Sequence, residues 1–390
     1  MRFCSRMAAL SVILNLIVLL APPLRGAEPQ FLVASPPNRI VFQRGLSGDA
    51  IIPVAGQCSL ARGMVEARFV PVAEPNKPGK WLPVGKVTSD GSFRGHLKVS
   101  GGWYSLELRA RAKTGRNRFA KVERVGAGEV FVVVGHSVAH GGKLNLPGAE
   151  DDRVNTVALT DTNALRDYEK TAELQYLPPL VGSHFSSDVR PAPFGHGTYF
   201  WGQFAQHVAK NQNVPVLIFN AAFGGTSLEH WAKSANGIPF EHSFVKSKIR
   251  MPYINVYNTL KRYVAVTGVR AILADQGQND WPENDEAKVF RNYGTWIAQA
   301  REDFGFPELA IVVNRQTPPP AKSQIRRVQD RMIREYPYCF PGPDYDRLQK
   351  ADTSDGIHLT ESGAIKAAQY WADALDNAFF KKAVPFQPPR

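Results

Sequence analysis

The chain has 390 residues, a formal net charge of +12, 44% hydrophobic residues and 21% charged residues. This composition is typical of a globular protein. The chain is longer than a single domain usually is, so we predict two domains. The positive charge favours anionic surroundings. We predict no nucleic-acid binding, because the sequence has no run of basic residues with interleaved aromatics.

The first 27 residues have the pattern of a secretory signal peptide. Arg2 and Arg6 precede an apolar run, Met7–Leu20, and small residues follow it. Arg25 is unusual near a cleavage site, so an uncleaved membrane anchor is the alternative. We expect a secreted or periplasmic protein with no stable membrane insertion after the signal is removed.

Beyond Cys4 of the signal segment, the cysteines are Cys58 and Cys339, which we expect in different domains. One interdomain disulfide and two buried thiols both fit this spacing. The sequence contains no CxxC, HExxH or calcium-loop pattern, so we predict no metal site. It also lacks a nucleotide-binding loop, and we predict that no cofactor takes part.

Residues 28–126 carry strand signals without helices, and turn signals such as Ser89-Asp90-Gly91 separate the strands. The predicted strands are Arg39–Phe42, Ala50–Val54, Met64–Val72, Trp81–Val87, Ser92–Val99, Trp103–Ala112 and Arg118–Val125. This spacing predicts an all-β sandwich of immunoglobulin-like type. We expect a structural role for it, with carbohydrate binding as the alternative.

Residues 127–380 show strands that alternate with helices, followed by a tail at 381–390. The predicted strands are Val130–Val134, Val216–Phe219, Ala271–Ala274 and Leu309–Val313. The predicted helices are Tyr199–Lys210, Tyr253–Val266, Asp285–Asp303, Ala321–Tyr336 and Thr360–Asn377. This alternation predicts a parallel sheet with helices on both faces. A long irregular stretch, Lys143–Gly197, is predicted to wall a pocket.

A serine lies just past the first strand of this predicted sheet. In EVFVVVGHSVAHGG, residues 129–142, the strand is predicted to end at Gly135, which leaves Ser137 exposed. Ligands of open α/β sheets bind beyond the carboxyl ends of the strands, so Ser137 is placed as a nucleophile would be. A turn-forming or helix-capping serine is the alternative for this stretch alone.

Three later blocks supply possible partners for Ser137. The pair Gly224-Gly225 follows a strand and lets the backbone point an N–H at a ligand. Asn279, after the next strand, can aim its amide at the same crevice, although an Asn-Asp turn also fits. Asp355 lies three residues before His358, a spacing at which the carboxylate can hold the imidazole toward a nucleophile.

These four blocks resemble, in order, the signature blocks of the SGNH hydrolases, the GDSL-like esterases. The matching segments are Gly135-His136-Ser137, Gly225, Gly277-Gln278-Asn279-Asp280 and Asp355-Gly356-Ile357-His358. The residues around the second block are most similar to the sialate O-acetylesterase and carbohydrate esterase branch, and the resemblance covers about residues 127–375. It implies a three-layer α/β/α, flavodoxin-like domain after the β-sandwich.

The resemblance also implies a serine carbohydrate esterase that removes O-acetyl groups through an acyl-enzyme. Ser137 would attack, His358 would take its proton and Asp355 would orient the imidazole. The oxyanion donors would be the N–H groups of Ser137 and Gly225 and the amide of Asn279. The predicted sugar contacts near the blocks are His136, His140, His196, Trp231 and Trp281, with core packing as the alternative for the tryptophans.

The chain departs from that branch at the first block. The branch commonly has Gly-Gln-Ser-Asn where this chain has Gly135-His136-Ser137-Val138. This change keeps the nucleophile but removes two amides, so the usual sugar contacts are not expected. We infer that the substrate preference of this chain depends on these positions.

Two other functions fit parts of the pattern. Gly135–Ala139 differs at one position, Ala139, from the GxSxG elbow of α/β-hydrolase esterases and lipases. In that fold, however, the acid and the histidine come from separate loops. A secreted glycan-binding protein on a degenerate esterase fold is the non-enzyme alternative. The presence of Ser137, Asn279, Asp355 and His358 together argues against the loss of catalytic residues that this alternative requires.

Overall fold

The computed structural model describes residues 31–59, 63–111, 117–142, 144, 146–318 and 323–389. The segment predicted as a signal peptide lies outside these residues, as do the predicted element ends Ala112, Lys143 and Ala321. The described residues form a mixed α/β fold with a β-rich N-terminal region. None of the helices in these ranges is long and apolar enough to span a membrane.

The N-terminal region consists of strands joined by short turns. In chain order they are β1 Phe31–Ser35, β2 Ile40–Gln43, β3 Asp49–Cys58, β4 Met64–Pro71, β5 Leu82–Lys86, β6 Ser92–Ser100, β7 Gly102–Arg111 and β8 Arg118–Gly135. Strands β1, β3 and β6 form one antiparallel sheet. Strands β5, β4, β7 and β8 pair in a second antiparallel set, with β2 parallel to β8. Every strand predicted here is present, and β1 is an addition.

From residue 127 onward, strands and helices alternate, as predicted. The strands are β9 Val154–Val157, β10 Gly182–His184, β11 Val216–Asn220, β12 Ala271–Asp275, β13 Ala310–Arg315 and β14 Cys339–Asp344. The helices are α1 Ser137–His140, α2 Thr162–Thr171, α3 Trp201–Gln212, α4 Leu228–Ala235, α5 Tyr253–Thr259, α6 Ala265–Thr267, α7 Glu286–Phe304, α8 Ser323–Glu335, α9 Glu361–Ala374 and α10 Asn377–Lys382. The stretch predicted as irregular after residue 143 instead contains β9, α2 and β10.

The sheet of this second region has the order β10-β9-β11-β8-β12-β13-β14, parallel except for β10. Side chains alternate between two apolar clusters: Val130, Val132 and Val134 face one cluster, and Phe131 and Val133 face the other. Helices α2, α4, α5, α7 and α8 pack in the first cluster, and α1, α3, α9 and α10 in the second. Burial on both faces explains the continuous apolar runs that mark these strands in the sequence.

Strand β8 is a single strand of 18 residues that runs through both regions. Its first part pairs with β7, and its last part lies between β11 and β12. In sequence it resembles two strands because Gly126 and Gly128 interrupt the apolar pattern. The structure requires glycine at 128, where a Cβ would lie 2.0 Å from the carbonyl oxygen of Pro215. The strand that ends before Ser137 is therefore anchored in both regions.

A buried charge cluster joins the two regions at the start of the sheet. Glu129 in β8 is fully buried and accepts hydrogen bonds from Arg44 Nε at 2.6 Å, Gln43 Nε2 at 2.9 Å and Arg270 Nε at 2.7 Å. Arg270 is 2% exposed and also donates to the carbonyl of Ala383 at 2.9 Å. One carboxylate thus links the N-terminal strands, the sheet and the C-terminal segment.

Replacing Glu129 by leucine is expected to lower the free energy of unfolding by about 3–5 kcal/mol, because Arg270 would be left buried without its carboxylate. The matched control is Glu74→Ala, since the Glu74–Lys77 pair is exposed and its loss should cost less than about 1 kcal/mol. Denaturant titration followed by tryptophan fluorescence measures both. Equal effects of the two substitutions would contradict this role of Glu129.

The two cysteines of the described chain are buried free thiols. The alternative of an interdomain disulfide is therefore wrong. Cys58 ends β3 in the N-terminal region, whereas Cys339 begins β14 at the edge of the second sheet. Burial raises the pKa of Cys339 to about 12, so this thiol stays protonated at neutral pH.

Candidate active site

Ser137 is the first residue of α1, immediately beyond the carboxyl end of β8. Gly135 has a φ of +140°, and a Cβ on it would lie 2.0 Å from the carbonyl oxygen of Asp275 at the end of β12. Glycine is therefore required at this turn. The chain leaves the sheet sharply here and presents the Ser137 side chain at the edge where the strands end.

His358 and Asp355 reach Ser137 from the loop that precedes α9. Ser137 Oγ lies 2.7 Å from His358 Nε2, and His358 Nδ1 lies 2.7 Å from Asp355 Oδ2. An Nδ1–H that donates to the carboxylate leaves the electron pair of Nε2 facing the serine hydroxyl. This is the tautomer that a general base requires. The structure thus brings Ser137 together with a histidine and an aspartate that follow it by more than 200 positions in the sequence.

Hydrogen bonds keep the Asp355 carboxyl ionised. Desolvation raises the pKa of Asp355, but hydrogen bonds from the ring and backbone N–H of His358 and from the N–H of Ile357 outweigh it and lower the pKa to about 2. The backbone bonds measure 2.7 Å and 2.9 Å. The folded-state pKa is depressed, so this interaction is present at neutral pH and is lost only as the pH falls toward 2.

The glycine pair after β11 lies against Ser137. A Cβ on Gly224 would be 3.7 Å from the Ser137 Cα. The Gly224 N–H donates to His140 Nδ1 at 3.1 Å. The N–H groups of Ser137 and Gly225, by contrast, have no acceptor among the described residues. They remain available to an oxyanion, and Gly225 stays the predicted donor of the pair.

The third block is tied to the glycine turn by side-chain hydrogen bonds. Asn279 Nδ2 donates to the carbonyl of Thr226 at 3.0 Å. Asp280 is buried and accepts from the N–H of Leu228 at 2.8 Å. An amide nitrogen carries two hydrogens, so Asn279 retains one for a further acceptor. Its role as an oxyanion donor stays a prediction.

A cavity of about 450 Å³ opens beside Ser137. Its walls come from α1 and the residue after it, from residues 169–196, from the glycine turn after β11 and from the loop after α4. The lining residues besides Ser137 are His140, Gly141, Glu169, Phe194, His196, Phe223, Gly224, Phe244, Lys246 and Met251. Neither Glu169 nor Lys246 has an ion-pair partner within the described ranges. The stretch 143–197 thus contributes to a pocket wall, as predicted.

His140 and His196 form part of this wall. Their rings stack with centroids 4.1 Å apart. His140 Nε2–H donates to the carbonyl of Phe194 at 2.8 Å, and Nδ1 accepts from Gly224. Burial lowers the pKa of His140 to about 3, so the ring is neutral. His140 therefore offers a ligand only its ring face, while it holds the glycine turn in place.

The other predicted sugar contacts lie outside the cavity wall. His136 is fully buried, and Trp231 is 1% exposed, packs on Trp296 and donates through Nε1 to Thr226 Oγ1 at 2.9 Å. These two side chains have no surface to offer a substrate. Trp281 is 42% exposed and does not line the cavity.

Sequence reasoning missed much of the pocket lining. The residues not predicted include Glu169, Phe194, Phe223, Phe244 and Lys246. Phe223 lies directly before the Gly224-Gly225 block, but no motif marks the other four. Those four come from segments that meet only in the folded chain. The one available signal was the length of the stretch after Ser137.

The groups at this edge suit nucleophilic attack on an ester. They comprise a hydroxyl, an imidazole held by an ionised carboxylate, and two N–H groups without acceptors. Across the residues that the structure describes, no cluster of three or more histidine, cysteine, aspartate or glutamate side chains could hold a metal ion. That no cofactor takes part stays a prediction.

A comparison with known protein families agrees with this chemistry. The model of the family described as carbohydrate esterase, sialic acid-specific acetylesterase, matches residues 127–377. The chain belongs to this family. It is therefore a carboxylic ester hydrolase of the acetylesterase class, and membership implies an acetylated sugar as substrate.

Several solved structures are similar to this chain at low identity. A carbohydrate acetylesterase from Xanthomonas citri is 17% identical, with 87% of this chain and 72% of that chain covered and a TM-score of 0.50. A protein from Arabidopsis thaliana is 14% identical, with 65% and 98% covered and a TM-score of 0.44. A family two carbohydrate esterase from Cellvibrio japonicus is 13% identical, with 85% and 88% covered and a TM-score of 0.36. The first of these supports the fold alone, and no protein with a curated description matches the chain.

Proposed function

We propose that this protein is an exported serine esterase that removes O-acetyl groups from a sugar. The observation that carries the proposal is the pair of 2.7 Å contacts that link Ser137 Oγ to His358 and His358 to Asp355. His358 takes the hydroxyl proton as Oγ attacks the acetyl carbonyl. Asp355 fixes the tautomer of His358 and stabilises the imidazolium that forms.

The acyl-enzyme forms and breaks through two tetrahedral intermediates. The N–H groups of Ser137 and Gly225 and the amide of Asn279 hold the oxyanion of each. When the first intermediate collapses, His358 gives its proton to the sugar oxygen, which leaves. Water then attacks the acetyl group with His358 as base, and the proton returns to Ser137 as acetate is released.

We further propose the domain organisation that this function uses. An immunoglobulin-like sandwich at 28–126 precedes a three-layer α/β/α domain at 127–380, with a signal peptide at 1–27 and a tail at 381–390. The two apolar clusters on opposite faces of the parallel sheet support the layered arrangement. The apolar run of the first 20 residues supports export.

The cavity beside Ser137 is proposed to hold one sugar ring. Its volume of about 450 Å³ is far more than an acetyl group fills and lies in the range of small-molecule sites. The rings of Phe194 and Phe223 stack with centroids 4.9 Å apart and give the cavity an aromatic wall. Glu169 and Lys246 add one negative and one positive group, neither of which has an ion-pair partner in the described part of the chain.

Replacing Lys246 by methionine is expected to raise the KM for an acetylated sugar that carries a carboxylate by about fivefold to tenfold, the equivalent of one charge contact. The KM for a neutral acetylated sugar should change little, because the methionine keeps the length of the side chain. Lys248→Met is the matched control, since Lys248 is exposed and does not line the cavity. An equal rise in KM for both sugars would contradict charge recognition by Lys246.

The experiment that tests the proposed function is acetate release from a panel of acetylated glycans that includes sialosides, xylan and pectin. We expect release from at least one of them, with a rate that depends on Ser137. No release from any of them above the Ser137→Ala background would refute the proposed activity. It would leave glycan binding on an esterase fold as the better account.

A further inference from the structure

His136 lies buried beneath Ser137, away from the cavity. Its Nδ1 is 3.3 Å from Ser137 Oγ, and it accepts from the N–H of Val138 at 3.5 Å. Its Nε2 is 2.9 Å from Gln278 Oε1. His136 therefore joins the nucleophile turn to the polar interior below it.

The neighbours of His136 determine which ring nitrogen carries the proton. Gln278 Nε2 donates to Asp275 Oδ1 at 3.1 Å and to Gln316 Oε1 at 2.8 Å, so Gln278 Oε1 is left as an acceptor. It accepts the Nε2–H of His136, and Nδ1 faces Ser137 with a free electron pair. Burial lowers the pKa of His136 to about 4, which agrees with a neutral ring.

The same chain of hydrogen bonds continues to the loop that carries the base. Gln316 Nε2 donates to the carbonyl of Gly356 at 3.1 Å, and Gly356 lies between Asp355 and His358. His136 and Gln278 are fully buried, and Gln316 is 5% exposed. These contacts form a closed path. It runs from Ser137 to Gly356 through the side chains of His136, Gln278 and Gln316, and it returns to Ser137 through the contact with His358.

We propose that His136, Gln278 and Gln316 form a buried circuit that positions His358 against Ser137. The nucleophile and the base come from loops more than 200 residues apart, and the buried circuit is a polar connection between them below the reacting atoms. It rests on the proposed function, because it assigns these residues to the support of the Ser137–His358 contact. They act through that contact and do not touch the substrate.

The donor and acceptor pattern of His136 predicts which substitution the site tolerates. A glutamine can donate from Nε2 to Gln278 Oε1 and accept from Val138 through Oε1, so it can replace both hydrogen bonds of the imidazole. A leucine of similar size can make neither. His136→Gln is therefore the conservative variant, and His136→Leu breaks the buried circuit at one end.

Two further variants complete the comparison. Gln316→Met keeps the volume of the side chain but removes the hydrogen bonds to Gln278 and Gly356. Tyr263→Phe is the control, because the buried Tyr263 hydroxyl donates to the Pro178 carbonyl at 2.9 Å, outside the buried circuit. It reports what the loss of one buried hydrogen bond does to stability alone.

The experiment measures the rate at which a small fluorophosphonate labels Ser137, together with kcat and KM on an aryl acetate. We expect His136→Leu and Gln316→Met each to lower the labelling rate and kcat by about 10- to 100-fold, the effect of misplacing a base, with KM nearly unchanged. The labelling rate and kcat of His136→Gln should stay within about tenfold of the wild-type values. Those of Tyr263→Phe should equal the wild-type values. The double variant His136→Leu/Gln316→Met should be little slower than the slower single variant, because either change opens the same circuit.

Wild-type labelling rates in folded His136→Leu or Gln316→Met would overturn the proposal, and so would equal losses in His136→Gln and His136→Leu. If His136→Leu does not fold, Gln316→Met carries the same test. Labelling of Ser137 needs no sugar, so the experiment distinguishes a failure of the proposed function from a failure of the proposed buried circuit. A wild type that is labelled but releases no acetate refutes the substrate, whereas wild-type rates in the variants refute the buried circuit.

Discussion

Replacing Ser137 by alanine is expected to lower acetate release by at least about 10⁴-fold, because the proposed mechanism forms the acyl-enzyme on the Ser137 hydroxyl. The His358–Asp355 pair and the glycine turn stay in place, so the variant should fold and bind the sugar with nearly unchanged affinity. Initial rates with an acetylated sugar, and isothermal titration calorimetry with the deacetylated sugar, measure the two effects.

Ser100→Ala is the control for this substitution, since Ser100 ends β6 in the N-terminal region and is exposed. It should retain wild-type activity. If Ser137→Ala kept a rate within tenfold of wild type, Ser137 would not be the nucleophile.

Replacing Asp355 by asparagine is expected to lower kcat by about 10³- to 10⁴-fold with little change in KM. Asparagine can present its amide nitrogen to His358 Nδ1, which then accepts, and the ring proton moves to Nε2. That tautomer has no electron pair for the Ser137 hydroxyl. Steady-state kinetics at neutral pH measure the loss, and the wild-type carboxylate is ionised there because the pKa of Asp355 is about 2.

Asp373→Asn is the matched control, because Asp373 lies exposed on α9 and touches none of the site residues. Its kcat should equal that of wild type. A similar small loss in both variants would mean that Asp355 does not control the tautomer of His358.

Much of the fold could be predicted because its signals are local. The alternating strands of residues 39–111 and the apolar strands β11, β12 and β13 show their burial directly in the sequence. Strand β8 was predicted as two pieces, because the contact that requires Gly128 is made with Pro215, which is distant in sequence. Strands β9, β10 and β14 were missed, because β9 and β10 have only four and three residues and β14 contains Pro341 and Pro343.

The residues that meet at the candidate site could be predicted for a similar reason. Ser137, the glycine turn and Asn279 each follow a strand, and the spacing of Asp355 and His358 shows their pairing. The pocket could not be predicted, because its walls are distant loops without a motif. His136 was assigned to the substrate from its place beside Ser137, but the turn into α1 directs it inward, where it has no exposed surface.

The most direct test of the account is to trap the acyl-enzyme. Wild-type protein is mixed with an acetylated sugar, quenched in acid within milliseconds and digested, and the peptides are analysed by mass spectrometry. We predict one acetyl group on the peptide that contains Ser137, absent in Ser137→Ala. Acetate release by the wild type with no acetyl group on Ser137 at any time, together with undiminished release by Ser137→Ala, would contradict the account.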